Sequence, residues 1–161
     1  MMVHKLKCGT VFILTVIAVV ILSCKKSQPA QQAQNNAVLN QAANTHFNIQ
    51  VYVSSHPNLN GVLGIDTIPN VGVGGLIIVR ISTSSDPEFY VYDRACTYDG
   101  TTNTHARVFG PTGGVTCKDN VCGSVFSISD GSGLPTHAPA TYALKQYHYT
   151  YDGTNVLTIT N

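Results

Sequence analysis

Val121-Cys122-Gly123-Ser124-Val125-Phe126-Ser127-Ile128-Ser129-Asp130-Gly131 decides how this chain is read. A short β run, Ser124 to Ile128, is closed by the turn residues Asp130-Gly131. The same grammar extends outward on both sides. Upstream, Ala106-Arg107-Val108-Phe109 and Gly114-Val115-Thr116-Cys117 read as strands split by Gly110-Pro111-Thr112-Gly113. Before them, Glu88 to Ala95 follows the turn Ser84-Ser85-Asp86-Pro87, and Gly75 to Ile81 reads as a buried strand. Phe47 to Val53 alternates apolar and polar residues. Downstream, Tyr142 to Tyr151 and Asn155 to Thr160 form a hairpin across Asp152-Gly153-Thr154, because Asp-Gly between β-rich runs is a strong turn signal. No stretch holds an apolar 3.6 period. Short strands with frequent turns predict an all-β domain, a small sandwich or open barrel, over residues 46–161.

Cys122-Gly123-Ser124-Val125-Phe126 resembles the second cluster-binding loop of Rieske iron–sulfur proteins, C-P-x-H-G-S-x-F, with Cys122 in the place of the histidine. Tyr92-Asp93-Arg94-Ala95-Cys96-Thr97-Tyr98 resembles the strand entering the first loop, C-x-H. Cys96 matches its cysteine, and Tyr98 stands where its histidine belongs. Ala138-Pro139-Ala140 resembles the covering G-P-A loop, and Leu144-Lys145-Gln146-Tyr147 the L-x-x-Y that follows. The tail is similar to that of small bacterial lipoproteins with degenerate Rieske domains. The resemblance covers roughly residues 75 to 161 and implies a Rieske-like fold with two adjacent loops. A Rieske [2Fe–2S] centre needs two cysteines on one iron and two histidines on the other. Both histidine positions are changed here. The second cysteine position, three before Cys122, is Asp119, and Cys117 lies five before. Ser124 keeps the place of the hydroxyl that donates toward a cluster sulfide.

Five cysteines are present: Cys8, Cys24, Cys96, Cys117 and Cys122. The resemblance places Cys96 near Cys117 or Cys122. A disulfide between the loops would close about 20–26 residues and contribute roughly 3 kcal/mol. The other expectation is a metal site with Cys96, Cys117 and Cys122 as thiolates and His137, His105, Asp119 or Tyr98 as a fourth ligand. Three thiolates and a histidine suit zinc; an altered [2Fe–2S] cluster would have a potential well below a Rieske centre's. His46, His56 and His148 fall on expected surface positions. Asp93-Arg94 reads as a turn contact or edge ion pair, and Val71 to Gly75 lacks the spacing of a phosphate loop.

The chain opens with basic His4, Lys5 and Lys7 and an apolar run, Val11 to Leu22, shorter than the roughly 20 residues of a spanning helix. That is the pattern of a signal segment, residues 1–23. Ile21-Leu22-Ser23-Cys24 resembles the lipobox of bacterial lipoproteins, which implies an acylated Cys24 anchored in the lipid bilayer. Lys25 and Lys26 follow without an aspartate. The resemblance then points to the outer membrane, facing the periplasm, where disulfides persist. Residues 24–45, rich in Gln, Asn and Ala, read as a flexible tether reaching roughly 25 Å. Nine Lys and Arg less Lys5 and Lys7 leave seven, against eight Asp and Glu. Near neutrality argues against nucleic acid, and no Ser-His-Asp or paired-carboxylate pattern argues for a hydrolase. The expectation is a non-enzymatic binding or structural module acting with a periplasmic protein. The alternatives are an electron carrier with an altered [2Fe–2S] cluster and, lacking C-x-x-C, a thiol–disulfide protein.

Overall fold

The computed structural model describes residues 37–112 and 115–161. The expected signal segment, Cys24 and the tether as far as residue 36 lie outside them. Among these residues ten strands follow in order: β1 Asn48–Tyr52, β2 Ile65–Ile68, β3 Leu76–Arg80, β4 Phe89–Asp93, β5 Val108–Thr112, β6 Thr116–Asp119, β7 Val125–Ser127, β8 Pro135–His137, β9 His148–Tyr151 and β10 Val156–Thr160. They form three antiparallel sheets, β1-β10-β9, β2-β3-β4 and β5-β6-β7-β8. The all-β expectation is met.

β3 explains the layering. Leu76, Ile77, Ile78 and Val79 are all buried, so this strand has no wet face. Side chains alternate across a strand. Leu76 and Ile78 enter one core with Phe89, Val91, Leu157 and Ile159. Ile77 and Val79 enter the other with Tyr92, Val108, Phe126 and Ile128. The β2-β3-β4 sheet is therefore the middle layer, with the terminal sheet on one side and the β5–β8 sheet on the other. Isolated bridges Tyr92–Gln146 and Ala95–Arg107 stitch the layers where β4 ends.

Three local readings change. The expected turn Gly110-Pro111-Thr112-Gly113 belongs in its first three residues to β5. That strand pairs with β6 through a register shift between Phe109 and Thr112. β2 and β8 join the sheets although their sequences gave no strand expectation. The last part of the expected tether, residues 37–43, is a short helix, α1. Its sequence, AVLNQAA, holds three alanines, the best helix formers. Val38 and Ala42, one turn apart, are fully buried. Asn161 Nδ2 donates to the Ala42 and Thr45 carbonyls at 2.6 and 2.5 Å, satisfying the acceptors a helix end leaves open.

Asp93, at the end of β4, fixes the entry to the Cys96 loop. Its Oδ1 accepts from Gly74 N (2.8 Å) and Ala95 N (2.7 Å); its Oδ2 accepts from Val73 N (2.6 Å) and the Tyr147 hydroxyl (2.7 Å). The turn contact expected of Asp93 is what forms. Arg94 instead lies over the Phe109 ring at 4.5 Å and donates to Val108 O.

Candidate metal site between two loops

Cys96 follows the isolated bridge at Ala95, and the chain then turns back on itself: Gly100 N donates to Cys96 O at 2.8 Å. Gly100 is required there. A Cβ would lie 2.6 Å from Cys96 O and 2.9 Å from Cys96 N. This tight turn brings Asp99 over Cys96. The second loop joins β6 to β7. Asp119, the last residue of β6, accepts at Oδ1 from Val121 N (2.8 Å) and Cys122 N (2.7 Å), folding the loop over its own carboxylate. Gly123 takes a φ of 79°, a conformation that favours glycine.

The two loops meet as the resemblance implied. Cys96 Sγ and Cys122 Sγ are 3.5 Å apart. Tyr98 N donates to Cys96 Sγ, and Ser124 N to Cys122 Sγ, each at 3.5 Å. The Cys122 thiol donates to Ser124 Oγ at 3.1 Å, and Ser124 Oγ accepts from Ala140 N at 2.9 Å. Thr97 Oγ1 donates to Tyr142 O at 2.7 Å. The segment from Ala138 to Tyr142 is thus tied to both loops. One ligand atom from each of Cys96, Asp99, Asp119 and Cys122 lies within 4.8 Å of the others.

Burial pushes the Cys96 thiol far up, with Asp119 adding to the shift and the Tyr98 N–H opposing it. Burial also raises Cys122, against the hydrogen bonds of Ser124. Asp99 is raised by burial first and by the Asp119 carboxylate second.

The expected ligand set is therefore half assembled. Cys96 and Cys122 are brought together, with Ser124 against Cys122. Cys117 is not part of the group. It sits within β6 opposite Phe126, buried in the core, its thiol pushed up to about 12 by burial. The alternation of β6 explains this: Cys117 and Asp119 share the inward face, and only Asp119, at the strand end, reaches the loops. His137 is exposed on β8 and His105 exposed in the first loop's continuation, both outside the group. Tyr98 contributes its backbone N–H to Cys96. Asp119, expected only as one option, is a member; Asp99 was not expected at all. His56, read as a surface residue, is half-buried and bonded to Asp66 at 3.0 Å. The three cysteines are free thiols, and the Cys96–Cys122 separation exceeds the roughly 2.05 Å of a disulfide.

No protein-family model matches the chain. No curated protein matches it either. Among solved structures it is similar to the cyanobacterial plasma membrane Rieske protein PetC3 from Synechocystis PCC 6803, at 17% identity and a TM-score of 0.49, over 70% of this chain and 97% of that one. It is also similar to a chain in the complex of reduced oxygenase and oxidized ferredoxin in carbazole 1,9a-dioxygenase, at 20% identity and a TM-score of 0.47, over 70% and 92%. A third is the ferredoxin of carbazole 1,9a-dioxygenase from Nocardioides aromaticivorans IC177, at 15% and 0.44, over 69% and 95%.

The residues present do not fit a Rieske centre. The positions that the resemblance assigns to ligands hold Cys96, Tyr98, Asp119 and Cys122, and among the described residues no histidine joins the group.

Proposed function

We propose that this chain is a membrane-tethered periplasmic lipoprotein whose β domain is a non-enzymatic binding or structural module. Anchoring is through acylated Cys24 at the outer membrane, and the working partner is another periplasmic protein. The observation that carries the reading is the changed chemistry of the two loops. By the resemblance the positions of the imidazoles that give a Rieske centre its potential hold Tyr98 and Cys122, and Asp99 and Asp119 bring carboxylates to the pocket. Function follows the site rather than the fold.

A second reading keeps electron transfer through an altered [2Fe–2S] cluster. It is favoured by Cys96 and Cys122 facing each other across the loops and by Ser124 beside Cys122. One preparation separates the two. The chain is extracted from membranes in detergent without oxygen, and its iron, acid-labile sulfide and visible spectrum are measured. The module reading expects a colourless protein without iron. Iron and sulfide in equal amounts would replace it with the electron-transfer reading. On the same sample, mass spectrometry of the N-terminal peptide is expected to find acyl chains on Cys24, and Cys24→Ser to move the protein to the soluble fraction.

A further inference from the structure

We propose that Cys96, Asp99, Asp119 and Cys122 form a closed, four-ligand site for one divalent ion of the zinc type. The inference deepens the module reading above and rests on it, by naming what the pocket between the loops binds.

A tetrahedral ion with M–S near 2.3 Å and M–O near 2.0–2.2 Å sets its ligand atoms roughly 3.3–3.8 Å apart. The two thiols already stand at 3.5 Å, and all four donors lie within 4.8 Å of one another. A small closure of the two loops completes one coordination sphere. A two-iron cluster asks for something else, because its ligands divide between two metals with sulfides between them.

The orphaned oxygens supply independent support. Asp119 is 1% exposed and Asp99 9% exposed. Asp119 Oδ2 and Asp99 Oδ1 are buried with no hydrogen-bond partner. Native proteins keep few such atoms, since a buried oxygen without a partner loses its hydration with nothing in return, most of all when charged. Asp119 Oδ1 is held by two backbone N–H groups, which orients the carboxylate and leaves Oδ2 for another partner. No side-chain cation answers them. Among the described residues the ion pairs are His56–Asp66 and Arg80–Glu88, both outside the pocket. A bound cation satisfies both oxygens at once.

The surroundings are those of a metal-bound thiolate. Each sulfur receives the backbone N–H of the residue two further on, Tyr98 for Cys96 and Ser124 for Cys122. Such outer contacts orient ligands and stabilise their charge. The spacing agrees: Cys96-x2-Asp99 and Asp119-x2-Cys122 are mirror-related pairs with nineteen residues between Asp99 and Asp119. That is the C-x2-C-x15–20-C-x2-C pattern of zinc sites with the inner pair changed to aspartate. Calcium and magnesium require oxygen throughout, whereas zinc accepts thiolate and carboxylate together. On binding, both thiols release their protons to solvent as the M–S bonds form, so affinity rises with pH.

The full chain, purified from membranes in detergent without oxygen and stripped with a chelator, is titrated with zinc chloride alone. One zinc per chain is expected. Cobalt is expected to replace it and show thiolate-to-metal charge-transfer bands. Outer-shell changes typically cost 10–100-fold in affinity, so Asp99→Asn and Cys122→Ser should each weaken zinc binding by at least about that much. Cys117→Ala should leave stoichiometry and affinity unchanged. Circular dichroism confirms that each variant is folded, and the wild-type stoichiometry stands without any variant. No zinc uptake, or a Cys96–Cys122 disulfide by mass spectrometry, would overturn the site and leave the module reading intact. Zinc bound equally well after Asp99→Asn would overturn this ligand set. Iron with equal sulfide would overturn both the site and the module reading.

Discussion

Asp93 shows how one buried residue serves the pocket without entering it. Its carboxylate takes four donors: three backbone N–H groups, from Val73, Gly74 and Ala95, and the Tyr147 hydroxyl. Cys96 begins one residue after Ala95, so this carboxylate sets the position of the first loop. Removing it strands buried donors, which costs their full desolvation rather than the modest net value of a hydrogen bond. Asp93→Ala should therefore destabilise the domain by about 3 kcal/mol or more in urea unfolding. Tyr147→Phe removes a single donor and leaves the carboxylate three others, so its cost should be about 1 kcal/mol. Equal losses from the two variants would show that the backbone donors contribute nothing. The carboxylate also acts on Tyr147, whose hydroxyl is pushed up by burial first and by Asp93 second.

Among the elements, the β9–β10 hairpin depends on a carboxylate that is exposed. Asp152 Oδ1 accepts from Thr154 N, Asn155 N and Val156 N at 2.8 to 3.0 Å, and Gly153 supplies a φ of 78°. These bonds to the charged form lower Asp152 to about 2. A depressed carboxyl stabilises the fold above its ordinary value, and that contribution is lost as pH falls through the folded value. The Asp152 carboxyl resonance should titrate near 2, carrying the Thr154, Asn155 and Val156 amides with it. A midpoint at the ordinary carboxyl value would mean that the turn is not formed as described. Asp-Gly made this hairpin legible in the sequence; alternation did the same for β1, the unbroken apolar run for β3, and the turn Ser84-Ser85-Asp86-Pro87 for β4. β2 was not legible: Ile65-Asp66-Thr67-Ile68 is only four residues among turn formers, and its pairing with β3 supplies what its sequence lacks. β8 carries Pro135, which argues against a strand except at a sheet edge, and the edge is where it lies. The helix at 37–43 was hidden by polar composition, because only the burial of Val38 and Ala42 marks it as part of the fold. At the site, Cys96 and Cys122 were legible from the two loops. Asp99 was not, because only the turn closed by Gly100 N on Cys96 O carries its carboxylate to the thiols. Cys117 is the converse: a thiol by type, it is turned into the core by strand alternation.

For the molecule as a whole, the middle sheet makes two cores into one cooperative unit. Ile77 and Ile78 are neighbours on β3, both fully buried, yet they face opposite cores. Only the Ile77 core contains Cys96, with Cys122 packed against it. Truncating either isoleucine opens a cavity and should cost about 2–5 kcal/mol. Because one strand carries both faces, neither core should melt without the other. Ile77→Ala and Ile78→Ala should each give a single urea transition with an unchanged slope, the signature of an unaltered two-state reaction. Zinc binding should separate them. A cavity in the core that contains Cys96 should loosen the first loop, whereas a cavity across the sheet should leave the loops seated. Ile77→Ala should weaken zinc affinity and Ile78→Ala should not. A split transition in Ile78→Ala would show two independent cores. Equal loss of zinc affinity in both variants would show that the loops sense global stability rather than the packing of the core that contains Cys96.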